Sequence, residues 1–106
     1  PIGSKELASY TELYRKHFPN DKVQSLSFYG MSGALTVVEA LKRAGKDLTR
    51  EKYIAALEAV RDGDAGPAYC KVNFSAQRRQ GCLDGTMWRL VGDQIVNIGP
   101  AWKATN

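Results

Sequence analysis

Residues 27–45, SFYGMSGALTVVEALKRAG, constrain what this chain can become more than any other stretch. In the second half, apolar side chains at 34, 37, 38, 41 and 44 keep the spacing that leaves one helical stripe dry. Glu39, Lys42 and Arg43 fall on the other side. Gly45 is the expected stop, because glycine takes the left-handed cap conformation without a steric penalty. The first half is different in kind. Phe28, Tyr29, Gly30, Met31 and Gly33 crowd the point where the helix is expected to begin. Small residues there admit a neighbouring backbone or a small ligand, and the aromatics offer it a surface.

Around this stretch the pattern predicts two further helices. Residues 4–18 place Leu7, Tyr10, Tyr14 and Phe18 at helical spacing, with Ser4 as cap and Pro19 beyond the end. Lys16 and His17 stand in the last turn, where cations are favoured, and no Ser, Asp or Cys arrangement makes His17 a catalytic base. A third helix opens at Thr49, with Leu48 set to staple onto Tyr53, and runs out near Arg61. Its buried side is Tyr53, Ala56, Leu57 and Val60.

Beyond Arg61 the period changes from helical to strand-like. Residues 62–67, DGDAGP, read as a loop and lack the further ligands of a calcium loop. Residues 70–74 alternate and predict a short strand, with Val72 and Phe74 on one side. Arg78 and Arg79 lie in a polar loop without interleaved aromatics, which marks a solvated loop rather than a phosphate grip. Residues 86–91 and 94–98 flank Gly92-Asp93, the signature of a tight hairpin, and Trp102 is expected to anchor packing near the end. The fold class is therefore α/β: about three helices, then a strand and a C-terminal β-hairpin. A strand and a hairpin can hardly cover three helices, so the pattern predicts a piece of something larger or an obligate assembly.

Composition narrows the options further. A chain of 106 residues forms at most one domain, and a formal charge of +4 falls short of a nucleic-acid footprint. No apolar run reaches the ~20 residues of a membrane helix, and the first residues do not read as a signal peptide. A chain starting at Pro1 is expected to have been processed or cut. Cys70 and Cys82 leave two readings open. They are either two independent thiols or, in an oxidising compartment, a disulfide worth roughly 3 kcal/mol. Two cysteines with a distant lone histidine make no zinc site, and no cofactor is expected.

The order of these elements resembles a known family. The run from Tyr29-Gly30-Met31-Ser32-Gly33-Ala34 to Glu39-Ala40-Leu41-Lys42-Arg43-Ala44-Gly45 is similar to the "EALKRAG" helix of bacterial extracytoplasmic solute-binding proteins. These are the branched-chain amino-acid type receptors of ABC importers, with the type I periplasmic binding fold. Asp47-Leu48-Thr49-Arg50-Glu51 resembles the "DLTRE" helix that follows, and Val72-Asn73-Phe74-Ser75 the "V-x-F-S" strand. The Gly92-Asp93 hairpin resembles the closing pair, and the segment ending at Phe18-Pro19 the family's "Y-x-x-x-F-P".

The resemblance spans residues 1–106 as a single fragment, the C-terminal part of a two-lobe receptor. It implies a periplasmic solute-binding component of an ABC importer that closes on an amino acid or related carboxylate in an interlobe cleft. The partners implied are the solute, the importer's membrane subunits and the remainder of the receptor chain; no enzyme activity and no nucleic acid are implied. Phe28, Tyr29 and Met31 would line the ligand pocket, with Met31 where the family usually has an aromatic. The free N–H groups at the helix start would receive a carboxylate. An isolated fragment is expected to pair or exchange strands as a homo-oligomer. The alternative is a self-standing dimeric interaction module, in a weaker version a nucleic-acid adaptor using Lys42, Arg43, Arg78 and Arg79.

Overall fold

A computed structural model describes residues 5–67, 70–100 and 102. A short 3₁₀ turn, Lys5–Leu7, leads into α1 (Ala8–His17). Ser4, the expected cap, lies outside the described residues. The Phe18 N–H closes the last turn on the Tyr14 carbonyl at 2.8 Å, and the rings of Tyr14 and Phe18 stack 5.0 Å apart.

The central helix, α2 (Ser25–Ala44), begins earlier than its sequence pattern indicates. Gln24 and Ser27 start it by pairing reciprocally: the Gln24 N–H donates to Ser27 Oγ at 3.2 Å, and the Ser27 N–H to the Gln24 carbonyl at 3.0 Å. Residues 25 and 26 are thus its first turn. Gly45 ends the helix at φ +80°, with its N–H on the Leu41 carbonyl. Glu39 and Arg43, one turn apart, form an exposed ion pair at 2.8 Å.

In α3 (Arg50–Glu58) Thr49 Oγ1 accepts the Lys52 N–H at 3.1 Å, as its sequence position implies. This helix packs against α2 and buries Ala56. It stops at Glu58, short of the expected Arg61, and the Arg61 guanidinium takes up the Glu58 carbonyl that the last turn leaves open. It donates to Glu58 O and Val60 O and, across the fold, to Phe74 O.

The strand expected over residues 70–74 does not form. Only Val72 bridges, with Gly63, through paired N–H···O bonds of 2.9 and 3.0 Å. A ladder needs a neighbouring strand, and none of the described segments supplies one. The backbone finds scattered partners instead: Asn73 N–H on Gly81 O, Phe74 N–H on Val60 O, and a turn between Ser75 and Arg78. The expected sidedness survives nonetheless, since Val72 joins Val60 and Ala65 in the small core, with Phe74 packed against it.

The hairpin forms as β1 (Trp88–Val91) and β2 (Gln94–Asn97), antiparallel, with Trp88 opposite Asn97 and Leu90 opposite Ile95. Gly92 turns it at φ +62°. Trp102, expected to anchor packing, is exposed; it forms a backbone bridge with Gly85, and its ring lies beside that glycine. Neither strand makes an extensive contact with a helix. The molecule is flat, with extents of 54 × 39 × 17 Å. Its radius of gyration is 16.3 Å, where a compact chain of this length has about 13 Å. The general class, a small α/β protein with three helices and a two-stranded sheet, is that of the sequence pattern.

Candidate functional site

Buried and exposed positions on α2 divide it into two faces. Phe28, Ser32 and Ala40 are buried, with Thr36 between them half-buried, all four residues apart and so on one side of the helix. Val37, Val38 and Leu41 lie on the opposite side at 100° per residue, and they are exposed. Most of the stripe that the periodicity marks as dry is therefore exposed, with Val37 and Leu41 bordering a depression beside Leu48 and Tyr53 at the start of the third helix.

Along the buried face runs a cleft of about 580 Å³, between the first half of α2 and the loop that carries the two cysteines. Phe28 and Ser32 form the helix wall; Pro67 and Phe74 stand opposite. A disulfide joins Cys70 to Cys82 with Cα atoms 6.1 Å apart, and both cysteines line the cleft. Inside the loop it closes, Gly81 lies against the Phe74 ring: a Cβ at that position would come within 2.7 Å of Phe74 Cζ. Covalent closure and this glycine hold Phe74 where the cleft needs a wall.

Three side chains expected at the ligand pocket fall unevenly. Phe28 and Tyr29 line the cleft, Phe28 buried and Tyr29 exposed. Met31 is not among the described residues that line it. The helix-start N–H groups move as well. Because α2 begins at Ser25, the amides of Tyr29 and Met31 belong inside the helix, and the Ser27 amide is satisfied by Gln24. A carboxylate would find its donors about one turn earlier than the sequence pattern suggests.

Ser32 is the residue that sequence reading passes over. It is 8% exposed, and among the described residues its Oγ is the one buried side-chain polar atom without a hydrogen-bond partner. Thr36, one turn on, bonds the Ser32 carbonyl at 2.9 Å, so the local backbone is satisfied while the hydroxyl is not. Its spacing of four from Phe28 is the signal that would have placed it on the same wall.

A second, polar depression of about 750 Å³ is lined by Arg61, Asp62, Lys71 and Arg78. Its arginines are engaged internally. Arg61 holds three carbonyls and Arg78 donates to Asn73 O at 3.1 Å. Arg79 pairs with Glu58 at 2.7 Å, and Arg43 with Glu39. Asp62 and Asp64 likewise serve the loop: Asp62 accepts from Asn73 Nδ2, and Asp64 from the Gly66 N–H. Among the described residues no group of acidic, Cys or His side chains is arranged to hold a metal ion, and no helix is long and apolar enough to cross a membrane. Compared with protein-family models, curated proteins and solved structures, the chain matches none significantly.

Proposed function

We propose that this chain is one wall of an extracytoplasmic solute-binding receptor of an ABC importer, a binding component without catalytic activity. The carrying observation is that α2 leaves the apolar Val37, Val38 and Leu41 exposed and that the hairpin is exposed throughout. An apolar helical stripe left in solvent calls for another surface to cover it. A lone two-stranded ribbon is marginal in water. Both elements are suited to lie against sheet and helices of a longer polypeptide, as in one lobe of a type I periplasmic binding fold. The Cys70–Cys82 disulfide is consistent with export to an oxidising compartment.

In this reading Phe28 and Tyr29 contribute to the apolar lining of a solute cleft, and the remainder of the receptor supplies the groups that hold an amino acid's charges. Binding then requires no acid, base or nucleophile, only a closed state that the solute favours. The test uses the complete reading frame that encodes this chain. The expressed product should contract on adding one member of an amino-acid and carboxylate panel, read as a fall in radius of gyration by X-ray scattering. A reading frame that encodes a compact, solitary globule with no response to the panel would overturn the proposal.

The second reading, a self-associating module, is favoured by area. The chain exposes 8214 Å², about 2,300 Å² more than the roughly 5,900 Å² of a compact monomer of 11.7 kDa. Two copies covering that excess would bury an area within the range of obligate dimers, about 2,000–5,000 Å². The nucleic-acid version has less support, because Arg43, Arg78 and Arg79 are already engaged within the chain.

A further inference from the structure

The unpartnered Ser32 hydroxyl and the cleft beside it are best explained together. A buried polar group without a partner is costly, and such groups in native structures call for an unseen partner. Ser32 lines a cleft whose volume of about 580 Å³ falls within the range of small-molecule sites, about 300–1,000 Å³. Every described residue lining that cleft is uncharged, and Phe28, Tyr29 and Phe74 give it aromatic walls. Gly33, one residue from Ser32, also lines it, and a Cβ there would meet no atom within 4 Å.

We infer that this cleft binds an uncharged, largely apolar ligand, an aromatic ring bearing one hydroxyl or carbonyl oxygen, with that oxygen on Ser32 Oγ. The described side chains lining it include no cation to compensate a carboxylate and no anion to compensate an amine, so a charged group among them would be desolvated without an ionic partner. A ring is accommodated by offset or edge contact with the aromatic walls. The Ser32 hydroxyl both donates and accepts, so it serves a phenol or a ketone equally. The hydroxyl oxygen is covered within the chain, so binding at Oγ requires it to move to another staggered position about the Cα–Cβ bond. The inference rests on this cleft and not on the receptor reading, which places an amino acid or carboxylate against Phe28 and Tyr29 of the same cleft. Benzoate binding more tightly than p-cresol would overturn the inference in favour of that reading.

The test titrates the oxidised full chain with p-cresol, with toluene, which lacks the hydroxyl, and with benzoate, which carries a charge. Amide shifts in two-dimensional NMR are the readout. Expected are saturable shifts at Ser32, Gly33 and Gly81 with p-cresol, about tenfold weaker binding of toluene, and weaker binding again of benzoate. Ser32→Ala should bring p-cresol to the toluene level. Gly33→Leu, which fills the cleft while removing a helix glycine, should abolish both without unfolding the chain. An unchanged p-cresol to toluene ratio in Ser32→Ala would overturn the inference. Shifts confined to the hairpin or to Val37, Val38 and Leu41, or the absence of saturation by p-cresol, would do so equally.

Discussion

At the scale of single residues, two positions show how local chemistry is overruled by what surrounds it. Ser32 is an ordinary helix residue by sequence, yet its hydroxyl is buried without a partner. Ser32→Ala should therefore stabilise the unliganded chain by about 1 kcal/mol in urea denaturation, the reverse of most buried substitutions. Gly66 behaves oppositely. It sits at φ +63°, and a Cβ there would collide with the Leu35 side chain and come within 2.9 Å of the Tyr10 hydroxyl. Gly66→Ala should cost about 2 kcal/mol in the same measurement, combining the left-handed penalty with the lost fit between α1, α2 and the loop. Neither effect can be read from residue type.

At the scale of elements, three signals that depend only on neighbours in the chain hold. Thr49 caps α3, Gly45 ends α2, and Gly92 turns the hairpin. Those depending on a distant partner do not. The alternation at residues 70–74 has the form of a strand, but only Val72 finds a bridge. That segment is organised by its disulfide and by Arg61 reaching Phe74 O. Reduction of Cys70–Cys82, or a Cys70→Ser and Cys82→Ser double variant, should lower stability by roughly 3 kcal/mol. It should also release Phe74 from the cleft wall, seen as lost dispersion of the Phe74 and Gly81 NMR signals.

At the scale of the whole molecule the unanswered demand is for cover. Leu90 and Ile95 face each other across the hairpin at 68% and 71% exposure, and Val37, Val38 and Leu41 line the open side of α2. The isolated chain should self-associate in sedimentation velocity as concentration rises through the micromolar range. Introducing Leu90→Lys with Ile95→Lys should return it to a monomer without loss of helical signal, because neither strand packs extensively on a helix. A wild-type chain that stays monomeric throughout would show that the flat arrangement is stable uncovered. The site was legible in part for the same reason the fold was. Phe28 and Tyr29 stand out as aromatics at a helix start, while Phe74, Gly81 and the cysteines reach the cleft only through the loop's path.

By itself the sequence determined that Thr49 caps α3, that Gly45 ends α2, where the hairpin turns and which residues are apolar, because each depends on φ, ψ and the hydrogen bonds of the nearest few residues. Tertiary structure alone decided which side of α2 the chain covers, whether residues 70–74 become a strand, and that Ser32 lies buried beside a cleft. Burial is a property of what arrives from elsewhere. A helix with apolar residues on two sides carries no mark of which side its own chain will cover.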